Sequence, residues 1–351
     1  MMLRRPGETM MQPHTLRQLA FAASCATSCA ALLAGSLAAA NPATAMPGAA
    51  QSPAPSPAPA LINPAVAEIL TLEEDRNRRL TVPVHIDGSG PYDFMIDTGS
   101  QATAVTREIN ATLGLRPAGT ATLVGMASRR AVELVEVARL DIGSHTITDF
   151  AAPVLERANV GADGIVGLDS LQDFRVMIDF REQTIALEDM RGREASKRGF
   201  EIVVRARQKL GQLLITDAIV EGIRATVIID TGAQTSLANN ALRERIRTQR
   251  ASEVTTTDVN GVDLVGQMSL MRNLSIEGLS LTNVPLTFAD TPVFAALGLE
   301  NTPAISLGMQ HLAMFDRVAI DFANRRVMFD VPEDIARAMR QNRNRGFRAP
   351  L

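Results

Sequence analysis

The chain has 351 residues, 46% of them hydrophobic and 21% charged, with a formal net charge of −3. That is globular composition, long enough for two units that each bury a core. No basic block or aromatic-basic interleaving speaks for nucleic acid, so that partner class is not expected.

Arg4, Arg5 and Arg17 lead into an uncharged, alanine-rich run over residues 19–40, with A-x-A sites at Ala38-Ala39-Ala40 and Ala43-Thr44-Ala45. Residues 1–45 therefore read as a cleaved export signal. The run is also long enough to span a bilayer, so a retained N-terminal anchor is the alternative. Cleavage removes Cys25 and Cys29, the two cysteines of the chain. The mature protein then has no disulfide and no cysteine nucleophile. It also becomes more acidic, so no stable membrane insertion or docking is expected. Residues 46–66 are a Pro/Ala-rich linker with prolines at alternate positions, an extended tether.

Two similar halves follow, at 67–190 and 198–331, with a charged connection between them and a short helix and basic tail over 332–351. Each half opens with strand-like segments joined by a glycine turn. Residues 80–86 turn at 87–90; residues 213–220 turn at 221–222. Each then ends an apolar run on the triplet Asp-Thr-Gly. The first copy is Asp97-Thr98-Gly99 followed by Ser100, and the second is Asp230-Thr231-Gly232 followed by Ala233. Next comes a glycine-bearing hairpin, at 122–128 and at 257–262, and then an apolar-apolar-Gly element, Gly164-Ile165-Val166-Gly167 and Ile305-Ser306-Leu307-Gly308. The two halves stay in register apart from a net insertion in the second, placed around residues 291–302. A repeat this long reads as gene duplication rather than a solenoid array.

An acid at the end of an apolar strand is costly to bury. Two such acids, one from each half, point to carboxylates that meet and share a proton. The rival reading of one triplet alone is a strand-ending aspartate that caps a turn. Other chemistries find no support. His14, His85, His145 and His311 are scattered without metal-ligand spacing, and no P-loop, G-x-S-x-G or dinucleotide fingerprint is present. No metal and no cofactor is expected.

The doubled order of triplet, hairpin and apolar-apolar-Gly element resembles the aspartic peptidases of the retropepsin-like clan, in the tandem-domain form found as bacterial periplasmic aspartyl proteases. The resemblance covers roughly residues 67–331. It implies an all-β, bilobal acid-protease fold, built from two duplicated β-barrel lobes with short helices. It implies an exported, periplasmic endopeptidase with Asp97 and Asp230 as the catalytic pair. Thr98 and Thr231 would tie the two catalytic loops together, with Gly99, Ser100, Gly232 and Ala233 as loop support. Gly125, Met126, Asn260 and Gly261 would sit on flaps over the substrate. Gly164, Ile165, Val166, Gly167, Ile305, Leu307 and Gly308 would be structural supports beneath the loops, with Ser306 a tolerated hydroxyl in an apolar run. The flap tyrosine of pepsin-like enzymes is missing, since the one tyrosine, Tyr92, precedes Asp97.

The expected partner is a protein or peptide substrate, bound extended between the lobes of a monomer. A homodimer pairing like lobes remains open, as does a non-catalytic peptide-binding module that keeps the fold. One asymmetry stands out: Ser100 has a hydroxyl where Ala233 has none. If that hydroxyl donates to Asp97, it lowers that carboxyl's pKa and makes Asp97 the ionised member of the pair.

Overall fold

The computed structural model describes residues 80–191, 199–246, 251–277, 279–337 and 339, and the strand backbones of Leu19–Ala20, Ser24–Cys25, Ala67–Thr71 and Glu73–Glu74. Apart from those four strands, the expected export signal and the Pro/Ala-rich linker lie outside the described residues. So does the basic tail beyond residue 339.

In Leu80–Ile86, Val82, Val84 and Ile86 are buried while Pro83 and His85 are exposed. This period of two makes a strand with one face on a core. The strand pairs with Ser89–Ile96, which pairs in parallel with Gly164–Val166. The circuit continues through Ala104–Thr106, His145–Leu155 and Arg129–Ile142. It closes where Val84 meets Ile142 and Ile86 meets Leu140. Closure into a six-strand barrel leaves the circuit no unpaired edge.

The second half repeats the circuit. Gln212–Val220, Ile223–Ile229, Ala304–Leu307, Leu237–Ala238, Val284–Phe288 and Asp263–Met271 follow one another in the same order and sense. Here the long strand is broken after Met271, and the short strand Leu274–Ile276 makes the closing contact with Ile219 and Val220. The protein is thus mainly β and bilobal, with short helices such as Arg107–Leu113 and Pro292–Ala296. The connection before the last barrel strand spans 156–163 in the first lobe and 289–303 in the second. Each connection carries a short helix, Arg157–Val160 in the first lobe and Pro292–Ala296 in the second.

A six-stranded sheet joins the lobes, in the order Ile202–Arg205, Arg326–Asp330, Arg317–Asp321, Phe174–Asp179, Thr184–Asp189 and Ala67–Thr71. Its central pair is antiparallel, with Met177 opposite Ala319, Arg175 opposite Asp321, and Asp179 opposite Arg317. The two closing strands therefore face each other across the pseudo-two-fold of the duplication. Arg175 and Asp321 are both buried, and the guanidinium donates to Asp321 Oδ2 from Nε at 3.3 Å and from Nη2 at 3.2 Å. Its Nη1 reaches Glu188 at 3.0 Å.

A hairpin projects from each lobe over the gap between them: Pro117–Val124 with the start of Arg129–Ile142, and Ser252–Asp258 with the start of Asp263–Met271. The described N-terminal strands lie along these hairpins. Leu19–Ala20 runs parallel to Leu123 and Val124, and Ser24–Cys25 runs antiparallel to Thr257 and Asp258.

Removing one partner of the buried pair strands the other charge, which typically costs about 3 kcal/mol or more. Arg175→Met should lower urea-unfolding stability by that order. The double variant Arg175→Met, Asp321→Leu should regain part of the loss, because Asp321 no longer stands unpaired while Glu188 still lacks its guanidinium partner.

Candidate active site

The strand Ser89–Ile96 ends directly before Asp97, and Ile223–Ile229 ends directly before Asp230. In both places the aspartate N–H completes the parallel ladder, Asp97 N to Val166 O and Asp230 N to Leu307 O, each at 3.0 Å. Barrel pairing therefore fixes where each loop starts. Both aspartates are fully buried, at 0% exposure. Each carboxylate is received by its own loop. Asp97 Oδ1 accepts from Gly99 N at 2.7 Å and Ser100 N at 3.0 Å. Asp230 Oδ1 accepts from Gly232 N and Ala233 N, both at 3.1 Å.

The threonines between acid and glycine link the lobes. Thr98 N donates to Thr231 Oγ1 at 3.0 Å, and Thr231 N donates to Thr98 Oγ1 at 3.2 Å. Each hydroxyl in turn donates across the interface, Thr98 to Ile229 O at 2.9 Å and Thr231 to Ile96 O at 2.7 Å. All four groups are thereby satisfied in a buried position, as burial of polar groups requires. The loops approach so closely that a Cβ placed on Gly232 would overlap the Asp97 carboxylate. Glycine is the residue that allows this approach.

Beneath the loops the apolar-apolar-Gly elements lie in equivalent places. Gly164, Ile165 and Val166 pair with Phe94, Met95 and Ile96; Ile305, Ser306 and Leu307 pair with Val227, Ile228 and Ile229. A Cβ at Gly167 would overlap the Ala102 backbone, and one at Gly308 would lie 2.7 Å from Ala233 O. These glycines seat the supports against the loops. The following residues then lace them together, Leu168 N to Ser100 O and Met309 N to Ala233 O, both at 2.8 Å.

The expected asymmetry at Ser100 does not form. Its hydroxyl donates to Ala102 O at 2.8 Å, away from the carboxylate, because the loop turns back there. Ser100 serves Asp97 through its backbone N–H, as Ala233 serves Asp230. The hydroxyl that does reach an acid belongs to Ser306, which donates to Asp230 Oδ2 at 2.9 Å. Burial, and then the negative charge of Asp97, push the Asp230 carboxyl well above the usual carboxylate range, while the Ser306 hydroxyl and the Ala233 and Gly232 amides pull the other way.

Above the acids the hairpins touch tip to tip. Asp258, at 0% exposure, accepts from Ala127 N at 3.1 Å and Ser128 Oγ at 2.7 Å across the gap. Its other oxygen accepts from Asn260 N and Val262 N of its own hairpin, both at 2.9 Å. Asn260 Nδ2 adds a bond to Ser128 Oγ at 2.8 Å. Gly125 turns its hairpin under Asp258, where a Cβ would overlap that carboxylate. Gly261 holds a left-handed φ of +77° against Asn159 of the first lobe. Met126 reaches down and lines a pocket with Gln212, Ile228, Asp230, Leu237, Thr291, Val293, Phe294 and Ser306.

Gly125, Asn260 and Gly261 thus lie at the contact between hairpins, and Met126 lies beside Asp230. Sequence reasoning read Ser306 only as a tolerated hydroxyl and gave no role to Asp258, Ser128 or Gln212, whose Nε2 donates to Gly99 O at 2.7 Å. For Ser306 a signal existed, a hydroxyl interrupting an apolar run that should be buried. For Asp258 none did, because an aspartate at a hairpin end is ordinary turn chemistry. Among the described residues, no group of three His, Cys, Asp or Glu side chains could hold a metal ion.

The chain matches the Aspartyl protease family twice, over residues 82–170 and 216–311, once in each lobe. No curated protein matches it. Among solved structures, a retropepsin-like aspartic protease from Rickettsia conorii is similar at 16% identity, over 37% of this chain and 88% of that one, with a TM-score of 0.27.

The link between hairpins can be checked without activity. Hydrogen bonds to a charged group are worth about 1.5–3 kcal/mol each. Asp258→Ala should therefore speed amide hydrogen exchange at Gly125, Ala127 and Ser128 by roughly tenfold or more, with the barrel strands unchanged. Equal exchange in wild type and variant would show that the carboxylate does not hold the hairpins together.

Proposed function

The chain belongs to the aspartyl protease family, and from that membership we propose that it is an exported aspartic endopeptidase acting on protein substrates. The observation that carries this reading is the pair of fully buried aspartates on duplicated loops, locked to one another by the Thr98–Thr231 exchange. Burying one ionised carboxylate without a counter-charge is expensive, and burying two on linked loops is more so. A pair that shares one proton lowers this cost, and such a pair performs acid–base chemistry.

In this reading Asp97 and Asp230 are the catalytic residues. The ionised carboxylate takes a proton from a water as its oxygen attacks the scissile carbonyl carbon. The protonated carboxyl gives its proton to the carbonyl oxygen. A tetrahedral diol results. Its collapse breaks the C–N bond, with the proton passing to the departing amine. The loop amides of Gly99, Ser100, Gly232 and Ala233 hold the carboxyls in place.

Substrate would lie extended between the lobes, under the hairpins, which act as flaps. The N-terminal strands support this, because Leu19–Ala20 and Ser24–Cys25 add to the flap strands by backbone pairing. One adds in parallel and the other antiparallel, the combination a single chain meets when it crosses two flaps related by a two-fold axis. The pocket of Met126, Leu237, Val293 and Phe294 beside Asp230 favours an apolar side chain next to the scissile bond. Both acids come from one chain, so the working form is a monomer. The signal-like residues 1–45 support export to the periplasm.

Asp97→Asn and Asp230→Asn should each abolish hydrolysis of peptides identified in a proteome-derived cleavage screen. Losses within such a unit are not additive, so the double variant should be no worse. Ionising the raised Asp230 carboxyl costs folding free energy at neutral pH. The Asp230→Asn protein should therefore unfold no earlier than wild type at pH 7. A statine-type inhibitor should block turnover and EDTA should not. Substantial turnover in either folded single variant would remove the assignment. Retained peptide binding with no turnover in wild type would favour the non-catalytic module.

A further inference from the structure

The pocket beside Asp230 holds a polar atom that the hydrogen bonds of the site leave over. Gln212 opens the strand Gln212–Val220, is 1% exposed, and lines that pocket. Its Nε2 donates to Gly99 O at 2.7 Å, across the boundary between the lobes. That bond fixes which way the amide faces, because the reverse orientation would set two acceptors against each other. Its Oε1 is buried and meets no donor among the described residues. An amide oxygen removed from water costs free energy until a donor reaches it. Gln212 holds the carbonyl of an acid loop, so the acceptor belongs to the loop side of the pocket. The apolar groups Val293 and Phe294 come from the helix Pro292–Ala296. A main chain crossing the acids meets the loop side, while its side chain meets the apolar wall. Counted back equally from its own triplet, the first half has Arg79 at this position. A guanidinium has donors and no acceptor, so the sequence supplies this acceptor on the Asp230 side only.

We propose that Gln212 is a substrate-binding residue whose Oε1 accepts one main-chain N–H of an extended peptide, next to the residue whose side chain enters the pocket beside Asp230. This rests on the peptidase reading and names the contact that sets the peptide's register over the acids. An extended chain presents an N–H at every residue, alternating from one side to the other. A single fixed acceptor therefore pairs with one position and passes over its neighbours. The same amide holds Gly99, and Gly99 N holds Asp97 Oδ1 at 2.7 Å. One side chain thus joins the peptide to the loop that seats the first acid. The apolar wall selects the side chain, and Gln212 selects where along the peptide that side chain falls.

The test is an ester scan. A peptide that the full chain cleaves, found in a proteome-derived screen, is remade with each backbone N–H near the scissile bond replaced in turn by an ester oxygen. The scissile amide stays intact. In wild type one position should lower kcat/KM by roughly ten- to hundredfold, the worth of leaving a buried acceptor unpaired. In Gln212→Met, similar in length and without the amide, that position should cost no more than its neighbours. Gln212→Glu, which keeps an oxygen acceptor, should retain the penalty. A Gln212 that only braced Gly99 would lower kcat for every peptide alike and leave the ester penalty in place in Gln212→Met, which overturns the proposal. A wild-type scan with no costly position also overturns it, and needs no folded variant. So does a preference for tyrosine over phenylalanine at the pocket that disappears in Gln212→Met without any ester effect, because the oxygen then serves a side chain. If wild type binds library peptides without cleaving them, the peptidase reading falls, and the same scan read as Kd still decides the role of Gln212. If it binds none, both fall.

Discussion

Two carboxyls buried in one place resist ionising together, and this protein's architecture is organised around holding them there. The decisive contact is the reciprocal exchange between Thr98 and Thr231, in which each backbone N–H meets the other hydroxyl. A single lobe cannot make that contact. It needs two loops of identical geometry approaching across a two-fold, each ending a strand whose register is already fixed. Duplication supplies the identical loops, and the parallel pairing of Ser89–Ile96 with Gly164–Val166, repeated in the second lobe, supplies the register. Gly232 removes the last steric obstacle, since any larger residue would occupy the space of the Asp97 carboxylate.

The six-stranded sheet does the same work at a distance. By setting Met177 opposite Ala319 at its centre, it fixes the axis about which the lobes are related. The buried Arg175–Asp321 pair lies on that central ladder. Buried ion pairs contribute little net stability compared with apolar packing, but they penalise every register in which the charges do not meet. Here a slip of the central strands would strand two charges. The pair thus specifies lobe orientation, and through it the meeting of the two Asp-Thr-Gly loops.

Symmetry is then broken at the second lobe. Its longer connection, 289–303, carries the helix that brings Val293 and Phe294 to the pocket beside Asp230. Its support strand carries Ser306 in place of an aliphatic residue. Its hairpin carries Asp258, which gathers donors from the opposite hairpin. A duplicated scaffold supplies the paired acids, and departures from duplication make the two sides of the site chemically different.

The sequence by itself determined the parts that local pattern encodes. Alternation in Leu80–Ile86 gave a strand with one buried face. The triplets at 97–99 and 230–232 marked two equivalent loops, and the spacing between the halves located the insertion at the connection now seen at 289–303. These are legible because strand period, glycine turns and repeats are properties of neighbouring residues. What only the tertiary structure decided are contacts between residues far apart in the chain. Ser100 and Ser306 are both serines near an acid in the fold. The first stands three residues from Asp97 and yet turns its hydroxyl to Ala102 O, while the second stands 76 positions from Asp230 and reaches it. Hydroxyl direction depends on the backbone turn and on the strand register that carries it, and neither is written in composition. Asp258 is the same case: a turn residue in the sequence, and a link between two hairpins once the lobes are placed. Sequence sets which groups are available; the packing of the two lobes sets which of them meet.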